Sequence, residues 1–146
     1  MLDVIKVASY IFERYKAQEK TKIDEMKLHK LLYLTQLECL IETRKPMFEA
    51  TFHAWQYGPV LPEIRQLYKQ DALKGTLSKE DEAKYATVLD YVFTEFAHKR
   101  SFVLSNITHG NYSWRHAREG YGKYQASDVL MLMEDIRRDA DYYRQR

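Results

Sequence analysis

Residues 24–43 read DEMKLHKLLYLTQLECLIET, and this stretch decides the fold class. Its apolar positions Leu28, Leu31, Leu32, Leu34, Leu37, Leu40 and Ile41 recur at helical spacing and cover more than half of a helix circumference. A helix with so little polar surface belongs at the centre of a fold, packed on several sides. Asp24 is placed to cap its first turn, because a carboxylate there can accept from otherwise unpaired N–H groups.

The flanks continue the pattern. Upstream, Val4, Val7, Ala8, Ile11, Phe12 and Tyr15 predict a one-sided helix over 3–18, with Asp3 as its cap. Downstream, Pro46 forces an exit. Thr51–Tyr57 has no helical period and is rich in β-formers, which predicts a short strand. Gly58–Pro62 reads as a rigid turn that leads into a helix over 62–71. Ser78, with Asp81 three residues on, opens a helix over 79–99 whose stripe is Tyr85, Val88, Leu89, Val92, Phe93 and Phe96. Shorter helices follow over 101–109, stopped by Gly110, and over 112–118, capped by Asn111. Tyr124-Gln125 reads as one more short extended piece. A last helix over 128–144 begins at Ser127-Asp128 and buries Val129, Leu132, Met133, Ile136 and Ala140. The expected fold is mainly α: one compact helical domain over residues 1–146, of about six or seven helices, with a very small β element near residues 51–57.

Composition excludes several function classes. The 45% hydrophobic and 30% charged content is ordinary for a globular chain, so disorder is not expected. Twenty-three basic side chains against 21 acidic ones give a net charge of +2. That balance argues against nucleic acid as the partner, which calls for basic residues gathered on one face. The tail mixes Arg137, Arg138, Arg144 and Arg146 with Asp135, Asp139 and Asp141, and reads as a solvated helix face. The single cysteine, Cys39, sits among leucines and reads as a buried thiol. No apolar run of about 18 residues exists to span a membrane. Charged residues break the N-terminal stretch where a signal peptide would be apolar, so a cytoplasmic location is expected.

Catalytic motifs are missing. There is no phosphate-binding glycine loop, no nucleophile elbow and no paired histidines at helical spacing among His29, His53, His98, His109 and His116. No enzyme, metal or cofactor is indicated.

Three blocks are more idiosyncratic than a helical domain requires: Met26–Tyr33 (MKLHKLLY), Ala54–Val60 (AWQYGPV) and Ile107–Trp114 (ITHGNYSW). On these the chain resembles the Panacea-domain family of SocA-like antitoxins. In that family a lysine-bracketed K-L-Q-K-L-L-Y helix precedes A-W-x-Y-G-P-V, a helix with a tyrosine near its end, and T-H-x-x-x-x-W. The matching positions are Lys27, Lys30 and Tyr33, then Trp55, Tyr57, Gly58, Pro59 and Val60, then Tyr68, and finally Thr108, His109 and Trp114. Order and spacing follow the pattern from about residue 5 to 140. His29 stands where the family more often has glutamine. Asn111 and Ser113 replace an acidic residue and a proline, a change expected to loosen the loop before Trp114.

The resemblance implies a non-enzymatic antitoxin, of a kind found in bacterial and phage operons. It implies neutralisation of a cognate toxin from an adjacent gene by direct protein–protein binding, with no cofactor. Two alternatives stand beside it: a small enzyme using His109, Tyr57 and Lys27/Lys30, and a transcriptional autorepressor. The residues themselves allow structural roles as well. Trp55 and Trp114 are large enough for core anchors, and Tyr57 could bond back onto its own turn. His109 could be held by helix-terminal carbonyls beside Thr108. Lys27 and Lys30 share one helix face and call for solvent or a partner.

Overall fold

The computed structural model describes residues 1–145. Asp3 and Asp24 do cap the first two helices, α1 (Val4–Glu19) and α2 (Glu25–Thr43), through bonds of 2.9 Å from the Ile5 and Lys27 amides. Thirteen of the nineteen α2 residues are buried, so the apolar wrap read from the sequence translates into a central position. Around α2 pack α1, a hairpin of β1 (His53–Trp55) and β2 (Gly58–Val60), and α3 (Pro62–Lys69). Also against it lie α5 (Ala86–Glu95), α6 (Ser101–His109) and α8 (Met133–Arg144). The short helices α4 (Lys79–Lys84) and α7 (Tyr112–Ala117) complete eight helices among the described residues, and the protein is mainly α.

The chain after α2 is fastened by one buried amide. Gln36 donates from Nε2 to the Phe48 carbonyl (2.7 Å) and accepts at Oε1 from the Met47 amide (2.8 Å). Phe48 and Phe52 thereby enter the core, and Phe52 meets the Tyr33 ring edge-on at 5.5 Å. In the antiparallel hairpin His53 faces Val60, Ala54 faces Pro59 and Trp55 faces Gly58, with Gln56 and Tyr57 at the turn.

The structure corrects several expectations, among them Tyr124-Gln125, read as extended, which lies in a turn closed by the Gln125 amide donating to the Gly122 carbonyl (3.0 Å). Gly58–Val60, read as turn, is the second strand. It pairs because Gly58 reaches φ +128°, a backbone angle that side-chain-bearing residues resist. The helix expected over 79–99 is two, broken at Tyr85. Its first part, KEDEAK, buries nothing, so no packing holds it in line with the Val88, Leu89, Val92 and Phe93 stripe. The last helix begins at Met133, not 128. Residues 129–131 instead join the hairpin edge, with the Ala54 amide donating to Val129 and the Met131 amide to Phe52, both at 2.8 Å. That tertiary pairing overrides the local Ser127-Asp128 start, and Leu132 stays 45% exposed.

A further correction concerns the tail, which is a solvated face only in part: Arg137, Arg138 and Asp141 are exposed, and Arg146 lies outside the described residues. Asp135 and Asp139 are buried, and Arg137 and Arg144 donate to the Arg44, Leu40 and Ile41 carbonyls at the end of α2. A helix terminus leaves its last carbonyls unpaired, and these guanidinium groups satisfy them.

Candidate functional site

The hairpin lies across α6 and α7, and this crossing gathers most of the residues singled out in the sequence. Thr108 is fully buried, its hydroxyl donating to the Ser105 carbonyl (3.1 Å). A Cβ on Gly58 would stand 3.4 Å from the Thr108 hydroxyl oxygen and 3.7 Å from Lys30 Cε, so the bare glycine backbone fits closely over both side chains. Pro59 and Val60 are buried beside it. Trp114 is 6% exposed and donates from Nε1 to the Trp55 carbonyl (2.9 Å). Its ring stacks on His109 at 3.9 Å and carries the Arg118 guanidinium at 5.0 Å.

His109 makes a hydrogen bond to the Gln56 backbone rather than to its own helix end. Burial, reinforced by the charges of Lys30, Lys123 and Arg118, pulls its pKa down to about 4, so the ring is neutral at pH 7. Its Nε2 is buried without a hydrogen-bond partner.

The two lysines are not a solvated pair. Lys27 is 6% exposed and turns to α1, where its ammonium donates to the Tyr15 hydroxyl (3.3 Å) and lies over that ring. Lys30 is 2% exposed, forms no ion pair or side-chain hydrogen bond among the described residues, and has its pKa lowered by burial. Its stem runs beneath Gly58. Tyr68 belongs to the α1 side as well. Its hydroxyl donates to the Ile23 carbonyl (2.6 Å) and its ring meets Phe12 edge-on.

Tyr33 is fully buried and anchors α7. Asn111 Nδ2 donates to its hydroxyl (2.8 Å), which also bonds Ser113 Oγ (2.9 Å), while Tyr143 donates to Asn111 Oδ1 (2.5 Å). Burial drives the Tyr33 phenol pKa upward. Asn111 turns its side-chain oxygen to Tyr143 and makes no capping bond to its own helix. Asp139 from α8 takes that role, accepting from the Tyr112 and Ser113 amides at 2.8 and 2.9 Å. Asn111 and Ser113, the two departures from the family pattern, are thus both held by hydrogen bonds to Tyr33. Tyr33→Phe leaves Asn111 and Ser113 polar atoms unpaired in the core, and is expected to cost about 1–3 kcal/mol in urea denaturation with little change of fold.

Several residues were invisible in the sequence. Arg118 is 4% exposed and donates to the Ala54 (3.0 Å), Gly122 (2.9 Å) and Gln125 carbonyls, pinning the following loop to the hairpin. Asp128 Oδ1 accepts from Trp55 Nε1 (2.9 Å) and bonds His53 Nδ1 (2.7 Å). Trp55 is thus held by a carboxylate at the surface rather than sunk in the core, with Arg65 over its ring at 5.2 Å. His53 and His109 have separate partners.

Within the second sequence block, one aromatic side chain has no structural employment: Tyr57 is 56% exposed at the hairpin tip. Residues 28–115, which hold this crossing, match the family model described as Antitoxin SocA-like, Panacea domain. The chain belongs to that family. No curated protein and no solved structure matches it. The Panacea-domain match excludes α1 and α8, yet both pack on α2, most of which lies inside it. Among the described residues no helix is long and apolar enough to cross a membrane.

Proposed function

We propose that this Panacea-domain protein is a stoichiometric, non-enzymatic antitoxin that neutralises a cognate toxin by direct binding in the cytoplasm. Family membership supplies the role. The observation that carries direct binding is Tyr57, an exposed aromatic at the tip of a motif whose glycine, proline and valine are buried. Exposed tyrosine and phenylalanine are the residue types that anchor protein interfaces. Phe102 is 73% exposed one turn before Ser105, whose hydroxyl meets the Tyr57 carbonyl at 3.5 Å. Tyr124, 75% exposed, rides on the loop that Arg118 ties to the hairpin. The buried lysines, Gly58, Thr108, His109 and Trp114 then serve as the scaffold that presents this tip. We take residues 1–146 as one functional unit, since α1 and α8 both pack on α2.

The test is co-expression with the product of the adjacent gene. The wild-type chain is expected to restore growth and to co-purify with the toxin. Tyr57→Ala, which removes an exposed side chain and leaves the fold intact, is expected to weaken binding by roughly 1–3 kcal/mol. His109→Phe keeps the stack on Trp114 and abolishes the ring nitrogens. Lost rescue in a folded His109→Phe protein, with Tyr57→Ala unaffected, would replace binding by chemistry at the histidine.

A further inference from the structure

Beside the hairpin tip, the N-terminal end of α2, the start of α3 and the segment 126–128 enclose a cleft of about 810 Å³. Trp55, Tyr57 and Met26 give it apolar walls; Glu25, Arg65 and Asp128 give it charge. Both carboxylates are only half used. Glu25 takes Arg65 Nη1 (2.6 Å) and His29 Nε2 (3.1 Å) on the same oxygen, Oε2. Asp128 takes Trp55 Nε1 and His53 Nδ1 on the same oxygen, Oδ1. Glu25 Oε1 and Asp128 Oδ2 accept no hydrogen bond from the described residues, although a carboxylate has room for about four. The Asp128 side chain is 71% exposed, so its free oxygen is within reach of a visitor.

The charges in the cleft do not cancel. Arg65 is matched by Glu25 at 2.6 Å, whereas Asp128 has no arginine or lysine beside it and is paired only with the His53 ring at 2.7 Å, a counter-charge only when that ring is protonated. The positive ends of α2 and α3 are already met by Asp24, Glu25 and Glu63. Aromatic walls beside a carboxylate suit a side chain with an apolar stem and a cationic head.

We propose that this cleft receives a cationic side chain, arginine or lysine, from the surface of the toxin. Trp55 and Tyr57 pack along its methylenes while its head meets Asp128 Oδ2 and Glu25 Oε1. The inference rests on the antitoxin reading for the identity of the donor, and on cleft geometry alone for the chemistry.

Two experiments separate these. The first uses N-acetyl-arginine amide as probe at pH 8, with the isosteric but neutral citrulline derivative and the anionic glutamate derivative as controls, and follows the two tryptophan indole N–H resonances. Arginine is expected to move the Trp55 resonance saturably and that of buried Trp114 hardly at all. Citrulline, and arginine on Asp128→Asn, are expected to bind roughly tenfold more weakly or not at all. Equal response to citrulline, preference for glutamate, or undiminished arginine binding by Asp128→Asn overturns the cleft. The second is the co-expression assay with Asp128→Lys, a change at an exposed position, expected to abolish rescue. Rescue equal to wild type overturns the cleft and leaves the antitoxin reading standing. Failure of the wild-type chain to bind the adjacent gene's product overturns the antitoxin reading, and with it the toxin as donor.

Discussion

Replacing Asp139 by alanine is expected to remove about 3–5 kcal/mol of stability, a large share of what a chain of this size possesses. Helix α7 begins with amides that no preceding residue serves. Its own N-cap, Asn111, has spent its side chain on Tyr33 and Tyr143. Asp139, 5% exposed and a full helix away, gives one oxygen to each of the first two amides. Hydrogen bonds to a charged acceptor are worth more than neutral ones, and removing the acceptor strands two donors at once, one buried and one part-buried. Asp139→Asn keeps one oxygen and is expected to fall between wild type and alanine. Urea denaturation of the three proteins checks the order, and hydrogen exchange at Tyr112 and Ser113 checks the cause. A loss below about 1 kcal/mol for alanine would mean that water serves those amides equally well.

The same residue marks the boundary of what the sequence tells. Asp139 sits in a run of alternating acid and base that reads as a wet surface, and nothing local says that α7 will need its carboxylate. Likewise Arg118 and Asp128 are ordinary charges until the hairpin folds against them. Where packing is dictated by one element's own periodicity, the sequence speaks clearly: the α2 leucines, the Asp3, Asp24 and Ser78 caps, and the β-forming stretch all appear where expected.

Where two distant segments compete for the same backbone, local signals lose. Ser127-Asp128 could have started a helix, but pairing of 129–131 with the hairpin edge claims those residues first. Lys27 and Lys30 were legible as unusual, not as buried, because the Tyr15 ring and the bare face of Gly58 that cover them come from elsewhere in the chain. In the candidate site, Tyr57 and Trp55 could be read from the motif, whereas the carboxylates flanking them could not.

Lowering the pH from 7 to 4 is expected to withdraw about 3 kcal/mol through His29 alone, the second large effect. His29 is 1% exposed and tied at both nitrogens: Nδ1 accepts from the Leu61 amide (3.3 Å) and Nε2 meets Glu25 (3.1 Å). Burial is the main cause that brings its pKa from 6.5 to about 4, against the upward pull of Glu25. The unfolded chain therefore binds a proton between these values that the folded chain refuses. Stability from this site is complete above pH 6.5 and drains away as pH falls towards 4, at ~1.4 kcal/mol per unit. His109, also near 4, drains in the same direction. Glu38 works oppositely: burial and neighbouring Glu42 lift its carboxyl from 4.5 to about 7, so it favours the folded state increasingly as pH falls through that range. The two signs overlap, and a single wild-type curve would hide both. His29→Gln separates them, since a glutamine amide can accept from Leu61 and donate to Glu25 without titrating. The difference in unfolding free energy between variant and wild type, followed by urea titration, is expected to grow in the variant's favour by about 3 kcal/mol from pH 7 to 4. Parallel curves would show that the buried imidazole takes up its proton as readily folded as unfolded, and that the contact between α2 and α3 is built otherwise.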